Sequence, residues 1–103
     1  MTMTGLPRNI THILEVKNTM GVYTRPASMI VRITNKYADT DVKFIHKNRT
    51  VNAKSIIEIM TLAASLGTRL IVTANGSNAH TVVNELSDLF ERKFEANSST
   101  SIF

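Results

Sequence analysis

Two short segments of the chain carry residue types that could bind or accept a phosphoryl group. In the first, Gly21 precedes Tyr23, Thr24 and Arg25, and Pro26 follows them. A glycine turn that leads into a proline-containing first turn is typical of a helix start. Unpaired amides and the helix dipole attract anions there, and a guanidinium matches the oxygens of phosphate. Thr24 and Arg25 are therefore candidate phosphate-binding residues, although the same pattern also fits an ordinary helix start.

The second segment is centred on Ser55. Glu58 follows it by three residues, and this S-x-x-E spacing before an apolar run is the capping-box pattern. The pattern predicts a short helix that ends at Gly67. As a plain N-cap the serine contributes about 1 kcal/mol, whereas a phosphate on its hydroxyl would add about 1.5 to 2 negative charges near the helix start. Both roles are compatible, so Ser55 is a candidate phosphorylation site as well as a cap.

The elements that must position these segments follow from the hydrophobic pattern. Period-two alternation predicts four strands, and helical spacing predicts three helices. The predicted strands are 10–17, 41–47, 50–53 and 68–74, and the predicted helices are 24–36, 56–67 and 78–94. A tight turn at Asn48-Arg49 joins the second and third strands, with Val42 and Phe44 on one side. The order β-α-β-β-α-β-α predicts an α+β fold, an antiparallel sheet with helices on one face.

Length and composition limit the classes of protein. The 103 residues are enough for one domain, which we place at 10–95 between a flexible lead-in (1–9) and a flexible tail (96–103). Hydrophobic residues make up 43% of the chain, so packing alone can close a core. The absence of cysteine excludes disulfides, thiolate metal sites and a cysteine nucleophile. No apolar run is long enough to cross a bilayer and no secretion signal precedes the domain, so we expect a cytoplasmic protein without a membrane partner.

Three other functions are not expected: nucleic-acid binding, metal or cofactor binding, and catalysis. Lysine and arginine exceed aspartate and glutamate by 12 to 8, which favours anions but is too small to indicate nucleic acid. An RNA-binding α+β module would stack bases on strand aromatics, whereas Phe44 is the only strand aromatic and is predicted to face inward. His12, His46 and His80 lie on separate elements without a carboxylate at ligand spacing, so we expect no metal and no cofactor. No base, nucleophile and orienting group converge, so we do not expect an enzyme.

Two motifs resemble those of a known family. Residues 21–27, G-V-Y-T-R-P-A, resemble the G-[LIM]-H-[TA]-R-P-A signature of HPr, the phosphocarrier of the bacterial phosphoenolpyruvate-dependent sugar phosphotransferase system. Residues 51–60 resemble the A-K-S-[IL] motif around the regulatory serine of that family. The motifs lie at the family's mutual spacing, and the resemblance covers Ile10 to Phe94. It implies an open-faced β-sandwich, in which three helices cover one face of a four-stranded antiparallel sheet.

One position departs from the family pattern, because the phosphorylated histidine aligns with Tyr23. A phosphohistidine hands its phosphoryl group onward since a ring nitrogen with a pKa of about 6.5 leaves readily, whereas a phenolate with a pKa of about 10 leaves less readily. The tyrosine oxygen would also lie farther from the backbone and carry a phosphate past the amides of the helix start. We therefore expect no phosphoryl transfer from Enzyme I to Tyr23, no catalytic residue, and a surface ring packed on the loop.

The resemblance implies a regulatory HPr-like protein that acts through protein partners and Ser55 phosphorylation. Its expected partners are Enzyme I and HPr kinase/phosphorylase or other phosphotransferase-system regulators, and we expect a monomer. The family docks partners on apolar residues beside the serine, and we assign Ile56 and Met60 to that face. Two alternatives stay open: an ordinary HPr phosphocarrier whose histidine was substituted by engineering or strain variation, and, less favoured, the RNA-binding module.

Overall fold

The computed structural model describes residues 8–95. In chain order the elements are β1 (Asn9–Glu15), α1 (Thr24–Thr34), β2 (Thr40–His46), β3 (Arg49–Asn52), α2 (Ile56–Met60), β4 (Arg69–Gly76) and α3 (Ala79–Glu91). This is the predicted order of strands and helices. The predicted tail and the lead-in up to residue 7 lie outside the described residues. Asn9, which the sequence assigned to the lead-in, is the first residue of β1.

The four strands form one antiparallel sheet in the order β1-β4-β2-β3. Successive residues of a strand point to opposite faces of a sheet. On one face the side chains are buried beneath the helices, and they include Leu14, Val42, Phe44, Leu70 and Val72. On the other face Ile13 and Ile71 are exposed. The predicted α+β fold is therefore confirmed, with Val42 and Phe44 facing inward and one face of the sheet open.

Helix α2 ends at Met60, whereas the sequence predicted that it continues to Gly67. The backbone reverses at Ala63, whose φ of 49° lies in the left-handed region. Ala64 is buried just beyond it, and its carbonyl accepts a hydrogen bond from the amide of Val22 (2.9 Å). Packing of this segment against the loop before α1 therefore outweighs the helical spacing of its apolar residues.

The tight turn between β2 and β3 is Lys47-Asn48, one residue before the predicted turn. Lys47 has a φ of 57°, the left-handed conformation that two-residue hairpin turns place at their first position. Arg49 begins β3 opposite His46. Its guanidinium donates to the carbonyl and hydroxyl oxygens of Thr61 (3.1 and 2.8 Å). Arg49 thereby ties the end of α2 to the hairpin.

Helix α3 ends at Glu91, although the sequence predicted that it continues to Phe94. Lys93 and Phe94 have φ values of 59° and 61°, a conformation that costs roughly 1 to 2 kcal/mol per residue. The resulting turn buries Phe94 completely, with its ring centroid 4.8 Å from that of Phe90. Burial of the aromatic ring offsets the backbone strain, because a ring of this size removes a large apolar area from water.

Candidate functional site

The first candidate site is the start of α1. Tyr23 is the N-cap residue, with an extended backbone (φ −105°, ψ −158°), and its side chain makes no capping hydrogen bond. The first helical bond runs from the amide of Ala27 to the carbonyl of Tyr23 (3.0 Å). The amides of Thr24 and Arg25 precede this bond, and Pro26 has no amide hydrogen. The first turn therefore leaves two backbone donors without a helical partner, as the sequence predicted.

An open cavity of about 370 Å³ lies against this helix start. It is lined by residues from the loop before α1, from the first turn of α1 and from the segment after α3, among them Tyr23, Thr24, Arg25, Lys93 and Glu95. The guanidinium of Arg25 donates to the carbonyl oxygen of Phe94 (3.3 Å), which keeps it beside the cavity. Arg25 and Lys93 thus add two cations, and Glu95 one carboxylate, to a helix start with free amides, and the net positive charge favours anions.

Gly21 holds the loop before α1 in a conformation that other residues resist. Its φ is 75°, and a Cβ at this position would lie 2.6 Å from the carbonyl oxygen of Ala64. The side-chain amide of Asn18 donates to the carbonyl of Gly21 (2.8 Å), and the amide of Val22 donates to that of Ala64 (2.9 Å). The glycine therefore lets the loop approach the segment after α2, which brings the start of α1 beside the end of α2.

The second candidate site is the start of α2, where Ser55 is the N-cap residue. Its Oγ accepts a hydrogen bond from the amide of Glu58 (3.2 Å). In a capping box the Glu58 carboxylate would return to the amide of Ser55, but it accepts instead from the amide of Asn52 (2.9 Å). The amide of Ser55 donates to the carbonyl of Asn52 (3.1 Å). The cap is thus confirmed and the reciprocal bond is displaced to the last residue of β3, while Ser55 stays partly exposed.

The apolar residues of α2 divide between the core and the surface. Ile59 is buried, Ile56 packs partly against the core, and Met60 is 38% exposed. Ile57 is 76% exposed and was not assigned to the partner face by the sequence. Helix α2 has only five residues, so its hydrophobic pattern does not show which isoleucine is buried and which is exposed. Once Ile59 points inward, the 100° step of a helix turns Ile57 outward and Ile56 back toward the core.

A second cavity, of about 270 Å³, lies between the loop before α1 and the end of α2. The loop before α1 and the segment that ends α2 both line it, with Met20, Val22, Tyr23, Met60, Ala63, Ala64 and Ser65. Tyr23, which is 52% exposed, lines both cavities. The Tyr23–Met60 surface, defined by Met20, Tyr23 and Met60, is one continuous area. Sequence reasoning missed Met20, because an exposed residue in an irregular loop belongs to no periodic pattern.

The three histidines do not form a further site. His12 lies on β1, His46 ends β2, and His80 is in the first turn of α3. Within residues 8–95, no group of three or more histidine, aspartate or glutamate side chains is placed to hold a metal ion. The same part of the chain contains no helix that is long and apolar enough to cross a membrane.

Comparisons with known proteins point to one family. The family model described as the PTS HPr component phosphorylation site matches residues 10–92. The phosphocarrier protein HPr of Xylella fastidiosa (strain Temecula1) is 40% identical over 83 residues, which cover 81% of this chain and 92% of that protein. The crystal structure of HPr-C-His from Thermoanaerobacter tengcongensis superimposes with a TM-score of 0.80 at 33% identity, covering 85% of this chain and 98% of the other. Crh, the Bacillus subtilis catabolite repression HPr, gives a TM-score of 0.58 at 31% identity and covers 79% and 95%.

Proposed function

The chain belongs to the HPr family of phosphocarrier proteins, and from that premise we propose that it regulates the bacterial sugar phosphotransferase system through protein partners and phosphorylation of Ser55. Members of this family carry phosphoryl groups and are not catalysts. The proposed partners are Enzyme I and HPr kinase/phosphorylase, or other regulators of the system, and the proposed location is the cytoplasm. One relative with the same fold is by its name a catabolite repression HPr, which favours a regulatory role.

The observation that carries the proposal is the contrast between the two helix starts. The start of α1 has the amides and cations of an anion site, but its N-cap residue is Tyr23, which lacks the ring nitrogen of the family signature. The start of α2 has Ser55, with a hydroxyl that accepts a hydrogen bond from one amide, that of Glu58. A phosphoryl group on a serine is stable enough to act as a signal, whereas relay to another protein needs a better leaving group.

Phosphate on Ser55 would act on the neighbouring Tyr23–Met60 surface. Met20 and Met60 are exposed there, Ile57 is exposed on the same short helix as Met60, and a docking partner would have to cover them. A phosphate adds about 1.5 to 2 negative charges beside this apolar area, so it strengthens docking of basic partners and weakens docking of acidic ones. The partner-binding role of Ile56 and Met60 stays part of this proposal, and the exposure of Ile57 adds that residue to the surface.

Two phosphorylation reactions test the proposal. The protein is incubated with Enzyme I and phosphoenolpyruvate, and separately with HPr kinase/phosphorylase and ATP, and phosphate is located by mass spectrometry. We expect no phosphate from phosphoenolpyruvate and stoichiometric phosphate on Ser55 from ATP. Ser55→Ala should abolish the kinase product, and Tyr23→His should gain a phosphate from phosphoenolpyruvate.

The same experiment decides the second candidate function, an ordinary phosphocarrier with a substituted histidine. Arg25, Lys93 and the free amides favour it, because they would serve a phosphohistidine equally well. Full phosphoryl transfer through the Tyr23→His variant, without kinase labelling of Ser55, would support this carrier and contradict the regulatory proposal. Phosphate on the unmodified chain from phosphoenolpyruvate would contradict the regulatory proposal as well.

A further inference from the structure

Residues 8–95 contain three methionines, and their sulfur atoms lie in different environments. Met20 is 72% exposed in the loop before α1, and Met60 is 38% exposed as the last residue of α2. Met29, on α1, packs partly buried against the core, and its Sδ accepts a hydrogen bond from the guanidinium of Arg25 (3.3 Å). Oxidation of a thioether needs access to the sulfur and to one of its lone pairs. An oxidant therefore reaches Met20 and Met60 more easily than Met29.

The two accessible methionines share one cavity. Both line the space of about 270 Å³ between the loop before α1 and the end of α2, together with Tyr23. They come from two separate segments, which the close approach of the backbones at Gly21 brings side by side. Thioethers are polarisable and adapt their shape, which suits an apolar surface that receives a partner. Within the Tyr23–Met60 surface they are also the side chains that a peroxide converts.

The positions of Met20 and Met60 allow oxidation without loss of the fold. Met20 lies in the turn before Gly21, and Met60 is the last residue of a short helix. Neither side chain belongs to the buried core, so an added oxygen atom displaces no core side chain. A sulfoxide inside a core would disrupt packing. Oxidation at these two positions therefore changes the surface and leaves the core intact.

We propose that Met20 and Met60 form a paired oxidation site, at which hydrogen peroxide converts both thioethers to sulfoxides and makes the Tyr23–Met60 surface polar. In each reaction one oxygen atom of the peroxide bonds to Sδ while the O–O bond breaks. The sulfur is oxidised by two electrons. The other oxygen atom takes up the proton of the first and leaves as water. A methionine sulfoxide reductase reverses the change, so the site can act as a switch.

The sulfoxides change what the Tyr23–Met60 surface can bind. An apolar partner that covers Met20 and Met60 would have to remove two S=O groups from water, and burial of a polar group without a hydrogen bond is unfavourable. Oxidation should therefore weaken docking. Phosphate on Ser55 adds charge, whereas the sulfoxides add dipoles without charge, so the two modifications act through separate chemistry. The effect on docking rests on the proposed function, and the oxidation itself does not.

Peptide mass spectrometry after exposure to hydrogen peroxide tests the selectivity. In the folded chain we expect Met20 and Met60 each to gain one oxygen atom about tenfold faster than Met29, or more. Urea should remove this difference, because unfolding exposes Met29 and separates its sulfur from Arg25. Far-UV circular dichroism verifies that the oxidised chain keeps its fold. Oxidation of Met29 as fast as that of Met20 and Met60 in the folded chain would overturn the proposal.

Hydrophobic-interaction chromatography measures the polarity of the surface without any partner. The matched control is the double variant Met20→Leu/Met60→Leu, because leucine has a similar volume and cannot form a sulfoxide. Peroxide should shorten the retention of the original chain. It should change the retention of the double variant less, although that variant keeps the other methionines. Equal changes in the two proteins would overturn the proposal.

The KM of HPr kinase/phosphorylase for the chain tests the effect on docking. We expect oxidation to raise KM about fivefold or more with little change in kcat, and reductase treatment to restore it. Peroxide should leave the KM of Met20→Leu/Met60→Leu at its own starting value. An oxidised chain with an unchanged KM would overturn the switch while the proposed function stands. Absence of phosphate on Ser55 of the unoxidised chain would contradict the proposed function, and the mass and retention measurements would still decide the oxidation site.

Discussion

Among single residues, Ser55 combines an observed helix cap with the proposed phosphorylation site on one oxygen atom. Its Oγ accepts a hydrogen bond from the amide of Glu58, whose carboxylate is bound to the amide of Asn52. A phosphoryl group on Oγ would keep an acceptor near the Glu58 amide, but it would also repel the Glu58 carboxylate. The proposed phosphorylation would therefore retain the cap and loosen the contact between α2 and the end of β3.

Two substitutions of Ser55 measure how much the cap contributes to stability. Ser55→Ala removes the acceptor, so we expect the free energy of unfolding to fall by about 1 kcal/mol. Ser55→Asp keeps an acceptor at the N-cap, and we expect less than half of that loss. Urea denaturation followed by circular dichroism measures both. Equal losses in the two variants would mean that the hydroxyl bond to Glu58 does not stabilise α2.

Among the elements, the loop before α1 and the segment after α2 depend on each other. The two backbones approach so closely at Gly21 that a Cβ there would lie only 2.6 Å from the carbonyl oxygen of Ala64. The bond from Val22 to Ala64 then holds the two segments side by side. The Tyr23–Met60 surface exists only because of this approach, since its residues come from both segments.

Alanine substitution at two glycines tests this contact. Gly21 and Gly67 both have positive φ (75° and 91°), but a Cβ at Gly67 would meet no atom within 4 Å. Gly67→Ala therefore costs only the backbone strain, roughly 1 to 2 kcal/mol. Gly21→Ala should lose about 1 to 3 kcal/mol more, because the loop must move away from Ala64. Urea denaturation gives the losses, and faster hydrogen exchange of the Val22 amide reports the movement. Similar losses of stability in the two variants, with unchanged hydrogen exchange of the Val22 amide, would contradict the close contact between Gly21 and Ala64.

For the whole molecule, one polar cluster joins the start of β2 to the start of α3. Asp39 accepts hydrogen bonds from the hydroxyl of Ser77 and from the side-chain amide of Asn78 (3.2 Å). Thr40 is buried; its hydroxyl donates to Asp39 (3.1 Å) and accepts from the amide of Asn78 (3.0 Å). The hydrogen bond from Ser77, followed by that from Asn78, lowers the pKa of Asp39 below its ordinary value of 3.8.

This shift predicts how the stability of the fold depends on pH. The folded-state pKa is the lower one, so the contribution of Asp39 is fully present above the unfolded value of 3.8 and is lost as the pH falls through the folded value. Asp39→Asn should lower stability near neutral pH and flatten the acid decline. Thermal unfolding from about pH 6 to about pH 2 measures how the stability of each protein depends on pH. Asp41→Asn, which removes the same charge outside this cluster, should follow the original chain, and identical curves for both variants would refute the prediction.

Local patterns along the sequence determined the order of the elements, the helix starts at Thr24 and Ile56, and the inward face of β2 at Val42 and Phe44. They also determined the family, because each of the two family motifs is a short run of neighbouring residues at a helix start. These features depend on residues close together in the chain: a cap and the amide it binds, or alternate side chains of one strand.

Tertiary structure alone decided where α2 and α3 end, which isoleucine of α2 is exposed, and which amide the Glu58 carboxylate binds. Ala63 and Phe94 adopt left-handed conformations because the segments around them are buried against distant parts of the chain. Helical spacing continues through both residues, so the sequence pattern predicts longer helices. The strain of about 1 to 2 kcal/mol per residue is offset by contacts between residues far apart in sequence, and no local pattern contains them.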